Sequence, residues 1–277
     1  MFLHKSRALC RAAFLMLALA AAVSARADDA ATPTAPRPPV PSEQLRLTVL
    51  ERHPHDARAF TQGLLLDGSK LYESTGLYGQ SSLRQVDLAS GIVQRQVDLP
   101  PNLFGEGLAL VGDRLIQLTW TNGIARVYSV AQFALVAEHR YEGEGWGLCF
   151  DGESLVMSDG SDRLVLRDPD TFAVRKTLRV VDANGVVSRL NELECVGHHV
   201  YANIWGTWRI VRIDGRTGVV DGEIDASNLL SAMERAALPA EAVLNGIAYD
   251  PATETFLLTG KLWPRIHRVR ISSPETE

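Results

Sequence analysis

The chain has 277 residues, 46% hydrophobic and 22% charged, enough for one large domain or two small ones. Its 28 Lys and Arg against 33 Asp and Glu exclude a disordered acidic tail protein and argue against a general nucleic-acid binder. Three cysteines are too few for a disulfide scaffold or a four-cysteine zinc site, and 22 glycines suit a chain with many tight turns.

Residues 1–27 read as a secretory signal. Lys5, Arg7 and Arg11 form a basic start, and Ala12 to Val23 is an apolar run too short to span a bilayer with ease. Ala25-Arg26-Ala27 puts small residues where signal peptidase reads them, so cleavage is expected before Asp28. The alternative is an uncleaved membrane anchor. The segment carries four basic residues and no acids, which leaves 24 basic against 33 acidic residues in the remainder. Residues 28–43, DDAATPTAPRPPVPSE, are rich in Pro and Ala and read as an extended linker. Residues 44–277 are the expected folded domain. With no further membrane-spanning candidate, the expectation is a protein exported to the periplasm or the medium, with no membrane attachment after cleavage. Export permits a Cys149–Cys195 disulfide, but two buried thiols fit the sequence equally well.

The remainder repeats itself. Gln62-Gly63-Leu64, Glu106-Gly107-Leu108, Trp146-Gly147-Leu148, Asn191-Glu192-Leu193 and Asn245-Gly246-Ile247 share one opening, spaced 44, 40, 45 and 54 residues apart. The last interval is longer because Ser227 to Leu244 is inserted. That insert reads as helical, with Ser227 or Asn228 able to cap it. Each opening leads through a turn such as Leu66-Asp67-Gly68-Ser69 to a second strand: Lys70–Ser74, Arg114–Thr119, Ser154–Ser158, His199–Ile204 and Thr255–Thr259. A third strand with period-two alternation follows, as in Leu83–Leu88 and Arg209–Asp214.

Four short strands in every 40–45 or so residues is the arithmetic of a β-propeller blade, so the spacing predicts an all-β, five-bladed propeller. The fifth unit ends after its third strand, Ile266–Ile271. The alternating segment Leu45–Leu50 before the first unit can supply the missing outer strand and close the ring, which removes exposed edges. A β-sandwich is the other all-β arrangement, but it does not account for one tripeptide recurring at one phase.

In a propeller, equivalent positions meet at one rim. The residues opening the repeats are Gln62, Glu106, Trp146, Asn191 and Asn245, and none is a small aliphatic packing residue. The ends of the second strands give a second ring: Gly76, Trp120, Gly160, Trp205 and Lys261. Phe60 and Phe104, two residues before Gln62 and Glu106, add apolar walls. One cavity would then collect one carboxylate, one lysine, three carboxamides and three indoles. Such a concave cluster of polar and aromatic groups is a candidate binding site. A carboxylate in an aromatic-walled pocket should bind its proton more tightly than usual and can hold and return it. The amides and the lysine can donate to a developing oxyanion. The histidines fall on turns or outer strands, and no HExxH or paired-cysteine ligand set is present. The set suits an internal acyl transfer that needs neither metal nor outside nucleophile.

The order of Ala59-Phe60-Thr61-Gln62-Gly63-Leu64, Phe104-Gly105-Glu106-Gly107-Leu108, Glu144-Gly145-Trp146-Gly147-Leu148, Leu190-Asn191-Glu192-Leu193-Glu194, Asn203-Ile204-Trp205, Leu244-Asn245-Gly246-Ile247-Ala248-Tyr249 and Thr259-Gly260-Lys261-Leu262-Trp263-Pro264 closely resembles the plant-and-bacterial type of glutaminyl-peptide cyclotransferase. The resemblance covers about residues 45–272. It implies a five-bladed propeller that converts N-terminal glutamine of peptides or proteins to pyroglutamate with release of ammonia, unrelated in fold to the zinc-dependent animal enzyme. It further implies Glu106 as catalytic acid/base, with Lys261, Gln62 and Asn191 around the scissile amide and Phe60, Phe104, Trp120, Trp146 and Trp205 as the aromatic pocket. Asn245 is added to the substrate-binding set from its rim position. No cofactor is expected for catalysis, though a structural ion in the channel fits the architecture, and the protein is expected to be a monomer that binds no nucleic acid.

Two other readings fit the residues. A calcium-dependent propeller lactonase or esterase would use Glu106, Asn191 and Asn245 as ligands, against which Gln62 and Trp146 hold the other rim positions. A non-catalytic exported propeller would bind peptides without releasing ammonia, with residues 227–241 as a docking surface.

Overall fold

The computed structural model describes residues 41–274. The expected signal segment and most of the linker lie outside the described residues. The first strand already begins at Glu43, at the end of the segment read as linker.

Among the described residues the fold is all-β with one short helix. Four strands follow one another as antiparallel neighbours in each of four successive units. The first is Thr61–Asp67, Lys70–Thr75, Ser82–Val86 and Val93–Asp98. The second is Gly105–Val111, Arg114–Thr119, Ile124–Ser129 and Ala134–Arg140. The third is Leu148–Phe150, Leu155–Ser158, Arg163–Arg167 and Val174–Arg179. The fourth is Leu190–Val196, His199–Ile204, Arg209–Asp214 and Val220–Asp225. The chain supplies only Leu244–Asp250, Thr255–Gly260 and Arg265–Ser272 to the fifth.

The orphan strand completes it. Glu43–Pro54 is longer than the alternating segment suggested, and it pairs antiparallel with Arg265–Ser272 from Arg46↔Ser272 to Pro54↔Arg265. Its first residues, Glu43–Leu45, also pair in parallel with Gly222–Ile224 of the fourth unit. One strand thus occupies the open edge of the fifth sheet and covers the outer edge of the fourth.

The apolar core lies between neighbouring sheets. Leu83 packs with Leu108 and Leu115 between the first and second units. Leu118 packs with Leu148 and Met157 between the second and third, and Val156 with Leu193 and Ala202 between the third and fourth. Ile210 packs with Ile247 and Leu258 between the fourth and fifth. Leu64 and Leu71 then pack with Ala248 and Leu257, which returns the sequence of contacts to the first unit. Cys149 and Cys195, open as to pairing from the sequence, form a disulfide between the first strands of the third and fourth units.

The repeated tripeptide is a β-bulge. In four units the register between first and second strands slips at this point: Thr61/Gly63, Gly105/Leu108, Leu190/Leu193 and Leu244/Ile247. A bulge re-aims a side chain out of the ladder, which is what the residue opening each repeat requires. Glycine follows because the first strands approach backbone to backbone: a Cβ at Gly63 would lie 2.7 Å from the Leu108 nitrogen. Gly246 also has φ +122°, a conformation L side chains rarely adopt.

The helical insert differs from expectation in its start. The helix is Ala232–Ala237, capped by Ser231, whose side chain accepts from the Glu234 N–H while Glu234 reaches back to the Ser231 N–H. Ser227 and Asn228 do not cap it. Leu229 and Leu230 intervene, and they are buried in the core between the fourth and fifth units, so the chain turns helical only after them.

Candidate active site

Nine of the ten residues singled out from the sequence line one cavity of about 410 Å³: Phe60, Gln62, Phe104, Glu106, Trp120, Trp146, Asn191, Trp205 and Lys261. The tenth, Asn245, does not line it. Asn245 is fully buried behind Gln62, donating from Nδ2 to the Thr61 carbonyl (2.9 Å) and to Gln62 Oε1 (3.2 Å).

Glu106 sits on the bulge of the second unit and is buried. Gln62 Nε2 donates to its Oε1 at 2.8 Å. Asn245, Gln62 and Glu106 thus form a directional chain, in which Asn245 fixes which end of the Gln62 amide faces the carboxyl. The main chain of Glu106 is held as well. Ser74 Oγ donates to its carbonyl, Gln117 Nε2 donates to Ser74 Oγ at 2.7 Å, and Tyr128 donates to Gln117 Oε1 at 3.1 Å. Burial pushes the Glu106 carboxyl well above the usual carboxylate range. The positive charge of Lys261 pulls it down, and the negative charge of Glu144 pushes it further up.

Lys261 follows the second strand of the fifth unit, and its N–H donates to the Val243 carbonyl. Burial lowers its ammonium to about 8, against the charge of Glu106, which raises it. The Nζ stands 4.7 Å from the centre of the Phe60 ring.

The aromatic wall is built from both rings of positions. The N–H of Trp120 donates to the Phe104 carbonyl, and that of Gly76 to the Phe60 carbonyl, which places second-strand ends beside residues two before the bulge. Phe60 and Phe104 meet edge to face at 6.1 Å, Phe104 and Trp120 at 5.7 Å, and Trp146 and Trp205 at 5.9 Å. The glycines of the second ring make room for these rings. A Cβ at Gly160 would lie 2.7 Å from the Trp146 indole, and one at Gly76 would collide with Phe104.

Three groups outside the cavity lining were not identified from the sequence as functional. Glu144, two residues before Trp146, accepts at Oε2 from both Trp120 Nε1 (2.7 Å) and Trp146 Nε1 (2.9 Å). Its offset is that of Phe60 and Phe104, a signal that could have found it. Glu192 takes the glycine position of the fourth bulge and accepts the backbone N–H groups of Leu64 and Ile247, crossing to the first and fifth units. Burial raises its carboxyl and that of Glu194, the latter to about 8. His55 directly follows the strand Glu43–Pro54. It is buried, with Nδ1 2.7 Å from the Trp263 carbonyl and Nε2 2.9 Å from Glu73 Oε1. Burial works against the protonated ring, but the charge and hydrogen bond of Glu73 and the Trp263 carbonyl favour it, and the net effect raises the His55 imidazole above its usual range.

Among the described residues, no three or more His, Cys, Asp or Glu are grouped to hold a metal ion. Nor is any helix among them long and apolar enough to cross a membrane.

A buried, proton-retaining carboxyl thus lies beside carboxamides, a lysine and an indole wall. Comparison with known proteins gives the family. The glutamine cyclotransferase family model matches residues 14–271. Glutaminyl-peptide cyclotransferase of Arabidopsis thaliana is 40% identical over 228 residues, 81% of this chain and 71% of its own length. The crystal structure of Myxococcus xanthus glutaminyl cyclase superposes with a TM-score of 0.79 at 40% identity, over 84% of this chain and all of that one. The chain belongs to the glutamine cyclotransferase family and is an enzyme of the glutaminyl cyclase kind.

Proposed function

We propose that the five sheets form a five-bladed propeller whose cavity converts N-terminal glutamine of peptides and proteins to pyroglutamate, with Glu106 as general acid/base. The contacts that pass from unit to unit and return to the first, and the closing strand Glu43–Pro54, support the architecture. The observation that carries the mechanism is Glu106 itself, buried in an aromatic cavity, bonded by Gln62, and holding its proton more tightly than an ordinary carboxyl.

The α-amine nitrogen of the substrate attacks its own γ-carboxamide carbon, closing a five-membered ring. Glu106 takes a proton from that nitrogen and delivers it to the departing amide nitrogen, which leaves as ammonia. The new C–N bond replaces the one that breaks, and the proton count balances. The oxyanion on the carboxamide oxygen is stabilised by N–H donors from among Lys261, Gln62 and Asn191. Nucleophile and electrophile belong to one residue, so the indole and phenyl walls act chiefly by holding the side chain in a ring-forming conformation.

The basic and apolar start of the chain supports export, and the Cys149–Cys195 disulfide fits an oxidising compartment. The protein works as a monomer without a catalytic metal. Incubation with a Gln-initiated dipeptide tests the reading: mass spectrometry should show loss of ammonia, and an N-acetylated Gln peptide should be untouched because its nitrogen is no longer nucleophilic. Turnover of the acetylated peptide would contradict it.

A further inference from the structure

Two residues before the residue opening each repeat stand Phe60, Phe104, Glu144, Arg189 and Val243. At this layer the first two build cavity wall, while the third is an exposed carboxylate. Its single oxygen Oε2 accepts from two indoles of different origin: Trp120, after the second strand of the second unit, and Trp146, from the rim of the third. Indole N–H groups only donate, and a bond to an ionised acceptor is shorter and stronger than one between neutral groups. One carboxylate oxygen therefore couples the orientation of two cavity walls that belong to adjacent sheets.

We propose that Glu144 is a positioning residue for the cyclisation, a carboxylate at the mouth that clamps the Trp120 and Trp146 indoles into one wall and sets a fixed negative charge beside the Glu106 pocket. This rests on the reading of that cavity as the cyclisation site. The charge acts on Glu106 in the same sense as burial and against Lys261. Tyr141 also interacts with Glu106, but burial raises its phenol, so it is neutral throughout the working range. Lys261 and Glu144 are therefore the charges that set Glu106 in opposite directions.

The two parts separate experimentally. In Glu144→Gln the carboxamide oxygen can still accept from both indoles, whereas the charge is gone. KM for a Gln-initiated dipeptide should stay within about two-fold and the near-UV circular dichroism should be retained. The acid limb of kcat/KM should move to lower pH by about half a unit or more, because a like charge beside Glu106 has been removed. In Glu144→Ala the clamp is lost too. KM should rise about ten-fold, in the range set by loss of charge-assisted hydrogen bonds, and the near-UV signal should change. Glu144 is exposed, so far-UV melts should confirm that both variants fold. An unmoved acid limb in Glu144→Gln, or an unchanged KM and near-UV spectrum in Glu144→Ala, would overturn the proposal. A wild-type protein that releases no ammonia would instead overturn the proposed function, and the near-UV comparison would still decide the clamp.

Discussion

Gln62 Nε2 donates to Glu106 Oε1 at 2.8 Å, and the other end of the same amide accepts from Asn245 at 3.2 Å. The amide is therefore oriented from behind by a residue that does not line the cavity. Gln62→Ala should lower kcat about 10–100-fold, since it removes a donor to the proton-carrying group. Asn245→Ala should lower kcat by less. The double variant should be no worse than Gln62→Ala alone, because Asn245 acts through Gln62. Additive losses in steady-state kinetics would show that Asn245 acts independently.

Lys261 and Glu106 set the expected pH profile. As the base that accepts the amine proton, Glu106 must be ionised, so kcat/KM should rise with pH through a value above the ordinary carboxylate range. Activity should fall again as Lys261 loses its proton near pH 8. Lys261→Met removes a charge that favours ionised Glu106, so the acid limb should move to higher pH and the Lys261 limb should vanish. A profile from a Gln-initiated dipeptide that keeps its alkaline limb in Lys261→Met would assign that limb elsewhere.

The sequence made the strand repeat legible because one tripeptide pattern recurs at the same phase in every unit, and four of the five units carry a bulge there. Gln62, Glu106 and Trp146 stood out because none is a small aliphatic packing residue. Asn245 shares that phase yet faces away from the cavity: phase gives the layer, not the direction of the side chain. Glu144 escaped notice because its layer holds Phe, Phe, Glu, Arg and Val, which share no property. The Cys149–Cys195 and His55–Glu73 pairings depend on which sheets are neighbours, which spacing alone does not state. The helix start was misplaced because Leu229 and Leu230 read equally well as helix or as core.

Buried carboxyls that hold their protons, such as Glu194, should give a stability that falls with pH. Glu194 is held near 8 in the folded protein, whereas an unfolded Glu titrates at about 4.3. Between those values the folded state binds the extra proton, so this stabilisation is complete below about pH 4.3 and is lost as pH rises through about 8. Glu194→Gln keeps an acceptor for the Tyr249 N–H and cannot ionise. Its advantage over wild type should grow with pH to about 5 kcal/mol at pH 9, measured by denaturant melts. A difference independent of pH would contradict the assignment.

The Cys149–Cys195 bond closes a loop of 46 residues between neighbouring sheets. Chain-entropy arguments give such a cross-link about 4 kcal/mol. Reduction, or a Cys149→Ala, Cys195→Ala double variant, should lower Tm clearly while the Glu106 pocket keeps its KM. An unchanged Tm on reduction would show that the bond does not form in solution.

Activity should survive prolonged EDTA treatment, since proton transfer and amide polarisation are assigned to side chains. Loss of turnover that calcium or zinc restores, with melts unchanged, would favour metal chemistry instead.

In the proposed reaction Glu106 carries the proton from the attacking amine to the leaving ammonia. Glu106→Gln keeps the shape and hydrogen-bonding capacity of the side chain but cannot exchange a proton at neutral pH. The direct test is steady-state kinetics of this variant on a Gln-initiated peptide, with thermal melts alongside. The kcat should be lower by about 10²–10⁴-fold, with little change in KM and an unchanged or slightly raised Tm. A folded Glu106→Gln protein with near-normal kcat would contradict it.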